Sequence, residues 1–134
     1  GVSGGEIPES AVATMASGAI VFALANPVPE IVPDEVPPNV AVVATGRSDF
    51  PNQINNVLVF PGFFRGLLDA RARTVTDDMK AAAAHGLASL VDDRELDADF
   101  VIPSVFDRRV APAVSQAVQE TVERTGLSRL VESG

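Results

Sequence analysis

AVVATGRSDFPNQINNVLVFPGFFRG, Ala41 to Gly66, is the stretch on which the fold turns. It opens as an apolar run, Ala41 to Thr45, of the length and composition of a buried strand. Gly46 breaks the run, and a polar loop follows with Arg47, Ser48, Asp49, Asn52, Gln53, Asn55 and Asn56. The chain turns apolar again at Val57, and Pro61 marks a helix start. A strand that passes through a polar loop into a helix is the ligand-binding edge of an open α/β sheet. The side-chain amides of Asn55 and Asn56 offer donors and acceptors that do not titrate and can orient a carboxylate, a hydroxyl or a carboxamide. On loop chemistry alone the simpler role for both is to cap backbone groups in a turn.

Upstream, Ala19 to Ala25 is a second continuous apolar run, AIVFALA, whose β-branched and aromatic residues suit a strand buried on both faces. Asn26-Pro27 ends it. Asn26 therefore sits either as a turn-former before proline or as a ligand contact at the carboxyl end of a central strand. Five prolines, Pro27, Pro29, Pro33, Pro37 and Pro38, exclude a long helix up to Asn39 and leave one turn starting at Pro33. Glu30, Asp34 and Glu35 read as a solvated acidic connection, since no histidine or regular ligand spacing supports a metal site. Before the first strand, Pro8 to Ala16 reads as a short helix, with Ile7, Val12 and Met15 on one side. Gly4-Gly5 reads as a turn.

Downstream, Pro61 to Arg73 reads as a helix with Phe63, Phe64, Leu67 and Leu68 on its apolar face. Gly62 and Gly66 weaken it intrinsically but allow a neighbouring backbone to come close. Thr76 is an N-cap, and Met79, Ala83, Leu87 and Leu90 form the stripe of the next helix. His85, the only histidine, is an ordinary residue of that helix. DDRELDAD, Asp92 to Asp99, is a charged connection, and Phe100 to Pro103 an extended segment. A last helix carries Pro112 in its first turn and buries Val110, Val114, Val118 and Val122, and Gly126 stops it. Arg47 and Asp49 pair with each other or with another subunit, or Arg47 reaches a carboxylate or phosphate bidentately.

The net charge of −8, from 10 Lys and Arg against 18 Asp and Glu, argues against a nucleic-acid or anionic-membrane surface. Sparse Lys and abundant Asp suit a high-salt cytoplasm. Without cysteine there is no disulfide framework and no thiolate metal site. No apolar run reaches the ~20 residues of a membrane span, and GVSGGEIPES has no signal-peptide pattern. A cytoplasmic protein is the expectation. Tyr is also absent. Neither a GxGxxG fingerprint nor a Walker A loop occurs.

ATGRSDFPNQINNVLVFPGFFRG, IVFALANPVPEI at Ile20 to Ile31, and FVIPSVFDRRVAPAVSQAV from Phe100 closely resemble the bacterial type of malic enzyme. The resemblance runs from Gly1 to about Arg124. It implies the C-terminal part of an NAD(P)-binding domain over residues 1–134. The fold would be α/β, a partial Rossmann-like, doubly wound parallel sheet with flanking helices. The family oxidises and decarboxylates malate to pyruvate with NAD or NADP and a divalent metal, Mg or Mn. The resemblance implies substrate contacts at Asn26, Asn55 and Asn56 and cofactor contacts at Ser3 and Asn26. The family's catalytic Tyr and Lys and its metal triad are not identifiable here, so no catalytic residue and no metal ligand is assigned. Malate or pyruvate, and the remainder of the enzyme or a homo-oligomeric partner, are the implied partners. Some members carry a phosphate acetyltransferase-like domain further on. A non-enzyme reading stands beside this one: a remnant α/β module that binds a partner or nucleotide without catalysis.

Overall fold

A computed structural model describes residues 5–129. They form two compact units. One runs up to Asn55 and adds Asp93–Ile102; the other takes Asn56–Asp92 and the chain from Pro103 onward.

The first unit holds helix α1, Glu9–Val12, and strands β1, Ala19–Ala23, and β2, Val40–Thr45. The strands pair in parallel, with Ile20 opposite Val42 and Ala23 opposite Thr45. Parallel partners need a crossover, and the Pro-rich segment between them supplies it with a single 3-10 turn, Pro33–Glu35, at the expected place. Val21 and Ala23 point into a core with Val12 and Ile31, against which Ile7, Val36 and Val40 pack. The other face of β1 differs from expectation: Ile20 and Phe22 are 58% and 50% exposed. Alternate residues of a strand face opposite ways, and within this unit α1 and the crossover cover only one face. Helix α1 is also shorter than the expected Pro8 to Ala16. The Asn39 side-chain amide donates to the carbonyls of Val12 and Met15 at 3.1 and 3.0 Å. The Thr14 hydroxyl donates to Ala11 O at 2.7 Å, so side chains rather than further helical turns satisfy the helix end.

Residues 97–100, the end of the expected charged connection and the first residue of the expected extended segment Phe100 to Pro103, close a tight turn. Phe100 N–H donates to Asp97 O at 3.0 Å, and Asp99 N–H donates to the Asp97 carboxylate at 3.1 Å. A local Asp side-chain bond of this kind competes with extension.

The second unit holds α2, Phe60–Asp69, α3, Asp77–Ala88, and α4, Val110–Arg124. The four-residue valine stripe of α4 is buried from Val110 to Val122. On one side it meets α2 through glycine. A β-carbon at Gly62 would lie 2.5 Å from Ala111 O, and one at Gly66 would lie 2.6 Å from Ser115 O. On the other side α3 buries Met79 and Ala83, and a β-carbon at Gly86 would meet that of Ala117 at 3.0 Å. The Thr76 hydroxyl accepts the Met79 N–H at 3.4 Å, as its N-cap position requires.

The packed edge of α2 is the expected one at Phe63 and the two glycines, but not at Phe64 and Leu68. Gly62, Phe63 and Gly66 are buried, while Phe64 and Leu68 are exposed. The glycines allow backbone contact that no phenylalanine edge could reach. Helix α2 stops at Asp69 because Arg71 adopts φ +50. Its N–H then donates to Leu68 O, and that of Ala72 to Leu67 O. Gly126, φ +67, ends α4 by the same arrangement, with Gly126 N–H on Glu123 O and Leu127 N–H on Val122 O.

Candidate functional site

The carboxyl ends of β1 and β2 lie side by side, with Ala23 paired to Thr45. Two loops leave this edge, and the first carries Asn26. The Asn26–Pro27 peptide is cis. Asn26 is exposed, and among the described residues its amide has no hydrogen-bond partner. Behind it the loop is fixed by Glu30, which is 5% exposed. The Ala25 N–H donates to the Glu30 carboxylate at 3.0 Å, and the Ile7 N–H donates to the Glu30 carbonyl at 2.7 Å. The bond from Ala25 holds the carboxyl below its ordinary range. Glu30 is thus no part of a solvated acidic run: Asp34 and Glu35 face solvent, while Glu30 turns inward to satisfy a backbone donor at the strand end.

The second loop leaves Thr45, whose buried hydroxyl accepts the Arg47 N–H at 2.9 Å. It folds back so that Gln53 bridges to Thr45 and the Ile54 N–H donates to Thr45 O at 2.7 Å. Asn55 follows directly, exposed, beside the end of β2. Asn52 makes the return. It is 6% exposed with φ 54. Its amide donates to Val43 O at 3.1 Å and Ala98 O at 2.7 Å, and its oxygen accepts the Val101 N–H at 2.8 Å. Arg47 spends its guanidinium on Asp49, with a bidentate pair that includes a 2.8 Å bond from Nε, and lies 5.0 Å from the Phe50 ring centroid. This pair raises the Arg47 pKa and lowers that of Asp49. Of the roles open to Arg47, the structure shows the ion pair with Asp49.

Asn56 opens the second unit at the start of a 3-10 turn, Asn56–Leu58, with its side chain exposed. Its carbonyl, not its amide, takes the Val59 N–H at 3.1 Å. Ser3 lies outside the described residues. His85 sits, exposed, in the last turn of α3. Among the described residues no three His, Cys, Asp or Glu side chains group to hold a metal ion.

Sequence reading missed Glu30, Asn52 and Gly46. Glu30 carried one signal, an acid set between Pro29 and the buried Ile31. Asn52 looked like its loop neighbours Asn55 and Asn56, and nothing local separates a buried Asn from an exposed one. Gly46 read only as the end of a strand.

A family model described as malic enzyme, NAD binding domain, matches residues 2–125. The chain is 53% identical over 127 residues to the bifunctional malic/malolactic enzyme of Bacillus subtilis, covering 94% of this chain and 31% of that protein. It is 57% identical over 115 residues to the NAD-dependent malic enzyme of Geobacillus stearothermophilus, covering 86% of this chain and 24% of that protein. The chain thus spans less than a third of the length of these curated relatives. Among solved structures, malic enzyme from Pyrococcus horikoshii superposes with a TM-score of 0.85 at 49% identity, over 92% of this chain and 28% of that one. Entamoeba histolytica malic enzyme superposes with a TM-score of 0.88 at 36% identity, over 98% of this chain and 27% of that one. The likeness carries the α/β, partial Rossmann-like class of the fold.

Proposed function

This chain belongs to the malic enzyme family, through that family's NAD-binding domain, and on that premise we propose that residues 1–134 are the C-terminal portion of such a domain in a working malic enzyme. The whole enzyme oxidises malate and releases CO2 and pyruvate, in the cytoplasm. NAD or NADP, when bound, accepts the hydride. This portion orients malate and the nicotinamide, and the remainder of the enzyme or a partner subunit supplies the acid–base groups. Because the described residues do not assemble a metal centre, no step through Mg or Mn is assigned to them.

Asn26 and Asn55 contact malate, Asn26 also faces the nicotinamide, and Asn56 is the next candidate. Ser3 is a further cofactor candidate by resemblance. The observation that carries this reading is the Asn26 amide. It is exposed at the carboxyl end of a parallel strand pair, with no partner among the described residues. Ligands of open α/β sheets bind at that edge. An amide kept free there can hold a hydroxyl or carboxylate of malate in line for hydride loss, and such positioning lowers the barrier by several kcal/mol in total.

The test is Asn26→Ala and Asn55→Ala in the full-length enzyme. Each removes hydrogen bonds of about 0.5–1.5 kcal/mol, more where the partner is charged. kcat/KM on malate should fall on the order of tenfold, since about 1.4 kcal/mol is a decade in rate. Melting temperature should hold. A turn-capping role predicts the opposite pattern, a stability loss of about 1 kcal/mol with kinetics intact. That result would defeat the substrate-contact reading.

A further inference from the structure

Gly46 follows β2 directly. Its backbone does not lie in the left-handed region, unlike Gly5, Gly18 and Gly126. An L-residue could therefore adopt its conformation, and the glycine is not explained by φ. Space explains it. A β-carbon at Gly46 would lie 3.0 Å from Asn26 Nδ2, 3.1 Å from Oδ1 and 3.4 Å from Cγ. The three nearest atoms all belong to one side-chain amide, so the Asn26 carboxamide lies across the bare Cα of Gly46.

We propose that Gly46 is a positioning residue for Asn26, and that Glu30 fixes the same amide from behind. Glu30 holds the backbone N–H of Ala25, the residue before Asn26, through a buried carboxylate. Gly46 sets the plane in which the amide rests. The strand-end backbone and the amide plane together determine where the donor and acceptor of Asn26 point. This proposal rests on the reading of Asn26 as a malate contact, but it makes a claim of its own about what orients that side chain.

A methyl group at position 46 leaves contacts tighter than ordinary van der Waals distance, so something must give by a few tenths of an ångström. Asn26 is exposed and flexible at its end, so its amide gives way while the fold does not. Misplacing a substrate-orienting group by an ångström can cost on the order of a hundredfold. A shift of a few tenths should therefore cost roughly three- to tenfold.

The experiment is a cycle of Gly46→Ala, Asn26→Ala and the double variant in the full-length enzyme. With it go thermal melts and the side-chain amide resonances of Asn26 in the 15N-labelled 134-residue chain. Gly46→Ala should lower kcat/KM on malate about three- to tenfold, leave the melting temperature in place, and have no further effect in the Asn26→Ala background. Its Asn26 amide resonances should move. An equal loss from Gly46→Ala in both backgrounds would show that Gly46 acts by itself and would overturn the proposal. Unmoved amide resonances would overturn it too. If Asn26→Ala has wild-type kinetics, the malate-contact reading falls, and the resonances alone then decide whether Gly46 orients Asn26. Glu30→Gln keeps an acceptor for the Ala25 N–H and should stay near wild type. Glu30→Ala removes the acceptor and should follow Gly46→Ala in moving the Asn26 resonances.

Discussion

At the scale of single residues, burial separates polar side chains that look alike in sequence. Asn26 could be placed at the edge of the sheet from the apolar run before it, because a strand end is a local pattern. Asn52 and Glu30 could not be assigned, because their partners lie elsewhere. Asn52 reaches Ala98 and Val101, and the sequence between them carries no sign of the meeting. Glu30 gives a pH prediction. Its folded pKa is lowered from its ordinary 4.5 by the Ala25 N–H. The folded state thus binds the Glu30 proton less readily than the unfolded chain, so its contribution to stability is present above about pH 4.5 and is lost as pH falls through the lower folded value. Melts of the wild type and of Glu30→Gln, followed from neutral to acid pH, should show a smaller loss in the variant. Parallel curves down to the acid limit would show that the Ala25 bond does not favour the ionised form.

At the scale of elements, the valine stripe of α4 was legible because it repeats at helical spacing, and all four valines are buried. The packed face of α2 was legible in part. Gly62 and Gly66 read as sites of close backbone approach and Phe63 as part of the apolar face, and all three are buried, but Phe64 and Leu68 of the same face are exposed, because the contact runs along the glycine edge. Gly62→Ala weighs two effects of opposite sign. Alanine gains about 1 kcal/mol of intrinsic helix propensity. Against this, its β-carbon would sit 2.5 Å from Ala111 O and 2.8 Å from the Val114 β-carbon. The first of these is backbone and cannot rotate away. Overpacking of this kind costs about 1–3 kcal/mol or more, and contact with a backbone carbonyl belongs at the upper end. Gly62→Ala should therefore lower stability by about 1–2 kcal/mol net, measured by urea denaturation. A more stable variant would mean that α2 and α4 slide apart without cost.

At the scale of the whole molecule, the sequence showed the α/β class and the parallel strand pair but not the division into two units. The polar loop to Asn55 and the helix after it read as one continuous strand-to-helix passage, and the boundary between Asn55 and Asn56 falls inside it. Periodicity reports on single elements and is silent about which of them share a core. The same scale decides what the 134 residues can do alone. Malate oxidation needs a group that takes the hydroxyl proton and a group that protonates the enolate formed after CO2 leaves. No Tyr is present in the chain. The one Lys, Lys80, is on an exposed face of α3 and holds Asp77 at 2.9 Å. Among the described residues no acidic or histidine cluster holds a metal, and the sequence has no glycine fingerprint for a pyrophosphate. On the proposed reading this portion orients malate, and the acid–base groups lie elsewhere in the enzyme. Purified alone, with malate, Mg or Mn and either nucleotide, it should produce no malate-dependent rise in nucleotide absorbance. Steady turnover by the purified chain would show that its own residues carry the acid–base steps, and the assignment of those steps to the rest of the enzyme would fall.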